Sequence, residues 1–384
     1  MGGRRRVLFC TLGYEPGPVG GAERQARLQA EELARRGHSV EVVTQRSARS
    51  GSGRVEGIRV TRLPCFGTGT ARTGTYLPFL FAWLLLNAAR YDIVHVHLAN
   101  LQADVAALAG RLRRVPMYVK IAMGGPRGEI ARMHRVAWAT RYVGIRSARR
   151  VQVISAEIEA DIASLGIPPE RVVRIPNGLD ASVYHPVSVD ERAALRRELD
   201  LPKDELLVLY AGRFARYKGI LDLLEAWRQV TPSVPATLVV VGEAALDAPV
   251  GELPATPRTI IRPWSPRIAS YFQACDLYVH PSQADGMPNV VLEAMACGLA
   301  VVATRVAAVP TMIEDGVTGR LVDIGSVDQL RTAIEGLVRD PKTRGRLGIA
   351  AAEHVAATYP IARVVDRIEQ VYEEMLAAPT AGVA

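Results

Sequence analysis

Short apolar stretches typical of strands alternate with amphipathic stretches typical of helices, and this alternation runs along the chain in two separate series. The first series contains the strand-like segments RVLFCTL, SVEVVT, DIVHVHL and MYVKIA. The second contains LLVLYAG, TLVVVG, TIIRPW, DLYVHPS and LAVVAT. Alternation of this kind is typical of a parallel sheet whose strands are joined by crossover helices. We therefore predict an α/β fold with two doubly wound domains.

Chain length supports a division into two domains. A chain of 384 residues with 49% apolar content is too long for a single ordinary core. The join is predicted near residue 186, in a turn-rich segment that contains Pro176, Asn177, Gly178 and Pro186. The predicted division is residues 1–186, residues 187–360 and a C-terminal helix within 361–384. That helix can belong to either domain, and the residues after it are expected to be disordered.

The charge and the cysteines of the chain restrict its partners and its compartment. A net charge of +8, with four lysines and forty-three arginines, suits nucleic acid, anionic lipid or phosphorylated small molecules. The arginines are scattered through predicted helices and are not clustered with aromatic residues, so we expect no nucleic-acid partner. The cysteines lack the spacing of a metal site and are widely separated, at Cys10, Cys65, Cys275 and Cys297. We therefore expect a reduced, cytoplasmic protein.

Two apolar segments are too short to be read as membrane-inserted sequences. The apolar run of MGGRRRVLFC ends too soon for a signal peptide and fits a first strand better. The run YLPFLFAWLLL, residues 76–86, is too short to span a bilayer and contains Pro78. Two interpretations of this run stay open, a buried helix and a helix that lies on a membrane surface.

Loops that follow strands are the candidate functional regions, because ligands of doubly wound domains bind beyond the carboxyl ends of the strands. The first such loop, GPVGGAER, places Gly20 and Gly21 at the start of a helix. Backbone N–H groups there can approach an anion. The spacing does not match the GxGxxG dinucleotide motif. An ordinary tight turn is an equally good interpretation of this loop.

The second loop, AGRFARYKG, leads from the strand LLVLY into a helix. Arg213 and Lys218 flank the start of that helix. Two cations beside the positive end of a helix dipole form a strong site for a diphosphate, because arginine binds two oxygens at once while lysine acts as a compact charge. The alternative is a solvated loop with two incidental cations.

The third loop, PSQADGMPNVVLEAMACG, contains two acids, Asp285 and Glu293. They are too far apart to share a proton, but their separation suits either an inverting glycosidase or a site that grips two hydroxylated ends of one long ligand. Asp285 can also be only a turn residue, and Glu293 only a partner of the helix dipole. A diphosphate site beside these acids favours an activated sugar. Because the chain has no D-x-D motif for a metal ion, we expect the cations of the second loop to stabilise the leaving group.

These loops, together with the segments GGAERQARLQAEELARRGHSVEVVT, DIVHVHL and VISAEIEADIASLGIPPERVVRIPNGLD, resemble the bacterial retaining glycosyltransferases of the family 4 type. The resemblance covers nearly the whole chain. It implies the GT-B architecture, in which two Rossmann-like domains face each other across a cleft. It also implies that residues 1–186 form the acceptor side and residues 187–360 the donor side.

The resemblance assigns roles to the residues that match the family pattern. Arg213 and Lys218 match the cations that bind the diphosphate, and Glu293 matches the acid that binds the ribose. Asp285 stands where the family usually has a glutamate that contacts the donor sugar. The other positions that the resemblance assigns to the nucleotide sugar are Gly20, Gly21, Trp264, Gly286, Met287, Pro288, Asn289 and Val290.

Two positions depart from the family pattern. Many members have a histidine where the strand in MYVKIAMGG ends, whereas this chain has Lys120. We predict that Lys120 and Met123 lie on the acceptor side. Thr311 replaces a glutamate that often follows the last strand, which can alter how the donor pocket closes but not the reaction class.

The resemblance implies a metal-independent, retaining transfer of a sugar from a UDP- or GDP-type donor to a hydroxyl acceptor, with no further cofactor. The arginines within residues 127–150 favour a lipid-linked or phosphorylated acceptor and a peripheral contact with the inner membrane face, and a solvated helix is the alternative. Two other functions stay open. One is a nucleotide-sugar epimerase or phosphorylase of the same fold, and the other is an inactive sugar-nucleotide sensor.

Overall fold

The computed structural model describes residues 3–15, 20–47, 51–136, 142–230, 236–244 and 252–377. The chain forms two compact units. The first consists of Met1–Gly178 and Ile361–Ala384, and the second is Leu179–Pro360. Three predicted features fall partly or wholly outside the described residues: positions 16–19 of the glycine loop, positions 137–141 of the arginine-rich segment and the tail at 378–384.

The chain passes from the first unit to the second directly after Gly178, before the position near residue 186 that the turn-rich sequence suggested. Gln25 holds Gly178 in the first unit: its Nε2 donates to the Gly178 oxygen at 2.7 Å, and its Oε1 accepts from the Gly178 N–H at 2.9 Å. The N–H of Leu179 instead donates to the Tyr359 oxygen in the second unit, at 2.9 Å. Gly178 is therefore hydrogen-bonded to the first unit, and the next residue, Leu179, is hydrogen-bonded to the second.

The first unit is built on a sheet of eight strands within its described residues. The strands are β1 (Arg6–Cys10), β2 (Ser39–Gln45), β3 (Gly53–Val55), β4 (Ile58–Leu63), β5 (Ile93–His97), β6 (Met117–Lys120), β7 (Arg150–Val153) and β8 (Val172–Arg174). Their order is β3-β4-β2-β1-β5-β6-β7-β8, and only the β3–β4 pair is antiparallel. The helices are α1 (Gly21–Arg35), α2 (Gly69–Asn87), α3 (Leu101–Arg113), α4 (Glu129–Val136), α5 (Val143–Ser147) and α6 (Ala156–Ser164).

The central strands of this sheet are buried along nearly their whole length. Every residue of β5 and β6 is buried, as expected for parallel strands that helices cover. The apolar stripe of α1 places Ala26, Ala30 and Leu33 in the same core as Val7 and Phe9 of β1. The 3.6-residue period of α1 therefore predicts its buried side correctly.

The second unit contains a parallel sheet of six strands within its described residues. Its elements are α7 (Val189–Glu198), β9 (Leu206–Ala211), α8 (Ile220–Gln229), β10 (Ala236–Val241), β11 (Thr259–Arg262), α9 (Ile268–Ala274), β12 (Leu277–His280), α10 (Asn289–Ala296), β13 (Ala300–Thr304), α11 (Val309–Met312), β14 (Arg320–Val322), α12 (Val327–Arg339) and α13 (Pro341–Thr358). The strand order is β11-β10-β9-β12-β13-β14. Its core is formed by apolar side chains from β9, β10, α8 and α12.

The last helix, α14 (Ile361–Ala377), belongs to the first unit. Its Val365 and Ile368 are buried in the core that α1 and β1 share. Arg36, directly after α1, forms an ion pair with Glu369 on α14. The burial of apolar side chains and this ion pair both hold α14 against the first helix and strand of the chain. Among the described residues, no helix combines the length and the apolar character that crossing a bilayer requires.

Candidate functional site

The second and third loops of the sequence analysis leave the sheet of the second unit at one place. The second loop follows β9 and the third follows β12, and these strands are hydrogen-bonded neighbours in the sheet. The strands that come between them along the chain, β10 and β11, lie on the far side of β9. The order of strands therefore reverses between β9 and β12, which is the position where doubly wound sheets bind ligands.

The two loops are packed against each other through their main chains. The Tyr217 oxygen accepts hydrogen bonds from the N–H of Gln283 at 2.8 Å and from the hydroxyl of Ser282 at 3.2 Å. Gly219 has a φ of +67°, and a β-carbon there would lie 1.9 Å from the Pro281 oxygen. Only glycine fits both the backbone conformation and this contact. The local fold therefore fixes the position of the second loop relative to the third.

A cluster of three charged or titratable side chains joins the loops. Lys218 Nζ donates to Asp285 Oδ2 at 2.6 Å, and His280 Nε2 lies 3.3 Å from the same oxygen. The other carboxylate oxygen of Asp285 accepts the N–H of Gly286 at 3.1 Å. The cation of the second loop and the first acid of the third loop, 67 positions apart in sequence, thus form one ion pair in which each side chain is 18% exposed.

The pKa values of this cluster follow from burial and charge. Burial opposes ionisation of Asp285, but Lys218 and His280 outweigh it and hold the pKa of this carboxyl well below its ordinary value. Burial lowers the pKa of His280 below its ordinary value, although Asp285 opposes the shift. At neutral pH the cluster therefore contains a carboxylate and a neutral imidazole beside the ammonium group.

Both predicted cations of the second loop lie near the ring of Tyr217. The guanidinium carbon of Arg213 lies 5.9 Å from the centre of the Tyr217 ring, and Lys218 Nζ lies 5.6 Å from it. Cations within about 6 Å of an aromatic face are attracted by its quadrupole. Arg213 and Lys218 are therefore neighbours of the same aromatic ring, and a diphosphate between them stays a prediction.

Helix α10 carries the second acid of the third loop. Pro288 is the N-cap of this helix, and Gly286, Met287 and Pro288 are all buried, whereas Asn289 and Val290 are half-buried. Glu293 is buried one turn further along. Burial is the main reason why the pKa of Tyr278 lies far above its ordinary value. The negative charges of Tyr210, Glu293 and Asp285 raise this pKa further. Both acids therefore lie close to this one buried tyrosine.

Trp264 lies at another part of the second sheet, and the glycine pair belongs to the first unit. Trp264 follows the edge strand β11, three positions from β12 in the sheet, and its side chain is 54% exposed. Gly20 and Gly21 lie at the start of α1 in the first unit, where the N–H of Gly20 donates to Glu23 Oε2 at 3.0 Å. In this capping arrangement a carboxylate of the chain itself occupies the place that the sequence suggested for an anion.

Lys120 is the last residue of β6 in the first unit, and Met123 lies in the segment that follows this strand. Lys120 is buried, and its Nζ donates to Asn177 Oδ1 at 2.8 Å. Burial, which Glu129 opposes, lowers the pKa of Lys120 to about 7. Burial raises the pKa of Glu129 to about 8, although its carboxylate accepts the N–H of Ala122 at 3.1 Å. Met123 is half-buried, and a contact of either residue with an acceptor stays a prediction.

Sequence reasoning missed three residues of these clusters. His280 ends the apolar run DLYVH and was read only as part of a strand, while Asn177 was read only as a turn residue. Glu129 stands in an arginine-rich segment that was considered only for its positive charge. The position of His280 at a strand end, directly before the third loop, was the available signal. Across the described residues, no group of three or more histidine, cysteine, aspartate and glutamate side chains is placed to hold a metal ion.

Comparison with known proteins agrees with this architecture. Residues 20–178 match the glycosyl transferase 4-like domain, and residues 191–354 match the glycosyl transferases group 1. The chain is 31% identical over 323 residues to D-inositol 3-phosphate glycosyltransferase 1 of Catenulispora acidiphila, which covers 77% of this chain and 75% of the relative. It is 30% identical over 403 residues to the D-inositol 3-phosphate glycosyltransferase of an Arthrobacter species, with 91% and 90% covered.

Solved structures share the fold at lower sequence identity. HepE of Anabaena, in complex with UDP and glucose, superposes with a TM-score of 0.79 at 20% identity and covers 96% of this chain and 100% of HepE. Sucrose-phosphate synthase of Thermosynechococcus elongatus gives 0.79 at 23% identity, with 97% and 100% covered.

The two parallel-sheet α/β units and these matches define a glycosyltransferase of the GT-B class. The chain belongs to the glycosyltransferases of the family 4 type. The predictions of the fold class and of the family are confirmed.

Proposed function

We propose that this glycosyltransferase moves a sugar from a nucleoside diphosphate sugar to a hydroxyl group, with retention at the anomeric carbon and without a metal ion. The observation that carries the proposal is the pairing of Lys218 with Asp285 at the switch point of the second sheet, with Arg213 beside the tyrosine ring that Lys218 also approaches. Two cations suit the diphosphate, and a carboxylate within reach of them suits the hydroxyls of the attached sugar.

The roles proposed for the other residues follow from the family pattern. Glu293 would bind the ribose, and the main chain near Trp264 would bind the base. The N–H groups of Met287, Asn289 and Val290 lie at the start of α10, where a helix favours negative charge. Gly20 and Gly21 would approach the phosphates from the first unit, which requires that Glu23 release the N–H of Gly20.

Transfer would proceed on one face of the sugar. The bond between the anomeric carbon and the β-phosphate oxygen breaks, and a bond from the acceptor oxygen forms on the same face. The acceptor proton passes to the departing phosphate oxygen, so no protein nucleophile is required. Arg213 and Lys218 would stabilise the negative charge that develops on the diphosphate, by an electrostatic effect of the oxyanion-hole kind.

The names of similar proteins support the choice of substrates. Solved structures of HepE contain UDP with glucose and UDP-glucose, which supports a UDP-type donor over a GDP-type donor. The similar D-inositol 3-phosphate glycosyltransferases are named for a phosphorylated acceptor. The arginines within residues 127–150 support a phosphorylated or lipid-linked acceptor in this chain as well.

A ligand panel followed by product analysis tests the proposal. Thermal unfolding is measured with UDP, GDP, ADP and TDP, each with EDTA and with Mg2+, because a ligand that binds only the folded state raises its stability. We expect UDP to raise the midpoint equally with EDTA and with Mg2+. Proton NMR of the transfer product should show the anomeric configuration of the donor.

Other outcomes of these experiments would overturn the proposal. Loss of transfer in EDTA that Mg2+ restores would exclude metal independence, and an inverted product would exclude retention. An isomerised sugar formed from the donor alone would indicate an epimerase. Binding of the donor with neither transfer nor slow hydrolysis would indicate a sensor.

A further inference from the structure

The solvent-facing side of α2 carries no charge. Its exposed residues recur every three or four positions, which places them on one side of the helix. Beyond the first two residues, Gly69 and Thr70, which are also exposed, they are Ala71, Gly74, Thr75, Pro78, Phe79, Ala82 and Leu86. Leu86 is 76% exposed. The opposite side of α2 is also apolar and contributes Tyr76, Leu80 and Leu84 to the buried interior. A helix that is apolar on both sides is normally enclosed by protein or lipid.

The neighbouring helix α3 continues this apolar surface. Its outer positions Leu101, Val105, Leu108 and Leu112 follow helical spacing, and Leu112 is 61% exposed. Since α2 and α3 pack side by side, their outer residues form one surface, which we call the α2–α3 face. The exposed side of α14, in the same unit, is charged in the usual way, with Arg363, Asp366, Arg367, Gln370 and Glu374.

Arginines lie at one end of the α2–α3 face, where both helices end, and acids are nearly absent from that part of the chain. Exposed arginines lie just after α2, at Arg90, and at the end of α3, at Arg111, Arg113 and Arg114. From residue 57 to residue 156 the sequence contains fourteen arginines and one lysine but only two aspartates and one glutamate.

None of these three acids offsets the arginines at the surface. Asp104 and Glu129 are buried. Asp92 accepts hydrogen bonds from the backbone N–H and the guanidinium group of Arg6. The exposed charge at this end of the α2–α3 face is therefore positive.

We propose that the α2–α3 face docks on the surface of an anionic lipid bilayer. Exposed apolar side chains would enter the boundary between headgroups and acyl chains, and the arginines would meet the lipid phosphates. A second copy of this chain fits less well, because this part of the chain offers almost no exposed acid with which the arginines of another copy could pair. The α2–α3 face belongs to the first unit and the proposed donor site to the second, so either proposal can fail alone.

Co-sedimentation of the full chain with vesicles tests this docking. One set of vesicles contains phosphatidylcholine alone, and the other contains equal parts of phosphatidylcholine and phosphatidylglycerol. We expect binding to the anionic vesicles only, with affinity that falls as salt increases. Phe79→Ser with Leu112→Ser should weaken binding by at least about tenfold, since each large apolar side chain contributes that much when it leaves water. Arg111→Glu should weaken it by about fivefold or more.

Matched controls lie on exposed positions of the second unit. Ile349 is 64% exposed, close to the value for Leu112, and Arg339 ends α12 as Arg111 and Arg113 end α3. Ile349→Ser and Arg339→Glu should bind vesicles as the unaltered chain does, and circular dichroism should show that all variants are folded.

Three results would overturn the docking proposal. The first is no binding to anionic vesicles, and the second is an equal loss of binding in the controls. The third is a dimer in light scattering that Phe79→Ser with Leu112→Ser dissociates, because the α2–α3 face would then join two copies of the chain.

Discussion

Replacing Lys218 by methionine tests how much the ion pair between Lys218 and Asp285 contributes to the unfolding free energy of the second unit. At an effective dielectric constant of about 20, Coulomb's law gives about 6 kcal/mol for charges 2.6 Å apart. The cost of desolvating both groups offsets part of this. Removal of one partner leaves a buried carboxylate beside a neutral His280, and breaking such a pair typically costs about 3 kcal/mol. We expect a loss of this size at about pH 7, measured by urea unfolding followed by tryptophan fluorescence.

The pH dependence of this loss makes the prediction specific. In the unaltered chain the pKa of Asp285 is depressed, so its stabilising contribution is present above the ordinary pKa and is lost as pH falls through the lowered one. Without Lys218, burial dominates and the pKa of Asp285 rises. Protonation of the carboxyl then removes the uncompensated charge. The difference in unfolding free energy between Lys218→Met and the unaltered chain should therefore shrink between about pH 7 and about pH 5.

Two further variants complete the test of the pair. Lys218→Met combined with Asp285→Asn should recover most of the lost stability, because no buried charge remains unpaired. Lys342→Met, at an exposed position of the same unit, should change stability by less than about 0.5 kcal/mol. Two results would refute the reasoning. One is a loss of unfolding free energy in Lys218→Met that is the same at pH 7 and pH 5, and the other is a loss in the double variant that equals the sum of the losses in the two single variants.

Three other predictions follow from the described geometry. Arg213→Ala should lower kcat/KM of sugar transfer by about 2 to 4 kcal/mol of transition-state stabilisation, measured by steady-state kinetics, and unchanged turnover would remove Arg213 from the site. Gly219→Ala should destabilise the second unit in urea unfolding by clearly more than Gly325→Ala, because both have positive φ but only Gly219 meets the Pro281 oxygen. Burial raises the pKa of Glu129 from 4.5 to about 8, so folding stability should fall as pH rises through that interval, and Glu129→Gln should reduce the fall in pH-dependent unfolding.

Much of the fold could be predicted from local sequence, because local sequence determines periodicity. The alternation of strands and helices predicted two parallel sheets, and the buried residues of α1 recur with the period of a helix. The boundary between the units depends instead on Gln25 and Gly178, which are 153 positions apart. No local signal indicates that a glutamine in a helix will bind a distant glycine. Turn-rich composition therefore located the join only approximately.

The candidate site shows the same limit. Arg213, Lys218 and Asp285 could be chosen from sequence because each follows a strand. Their two loops are close because β9 and β12 are neighbours in the sheet, and neither loop sequence indicates that strand order. His280 was missed because its interaction with Asp285 depends on how the third loop turns back. The Gly20 loop illustrates the opposite case. A glutamate three positions after the N-cap residue is a local capping signal, and Glu23 could have been recognised from sequence.

The pairing of Lys218 with Asp285 bears on the replacement of the usual family glutamate by aspartate. The shorter side chain of Asp285 places one carboxylate oxygen 2.6 Å from Lys218 and 3.3 Å from His280, and the other oxygen accepts the N–H of Gly286. In the proposed reaction a diphosphate would attract Lys218 as well. Any movement of the ammonium group towards the phosphates would leave Asp285 less neutralised and better able to accept hydrogen bonds from sugar hydroxyls. On this reasoning Asp285 pairs with Lys218 while no donor is bound. When the donor binds, Lys218 pairs with the diphosphate and Asp285 becomes available to the sugar, so that recognition of the two parts of the donor is coupled.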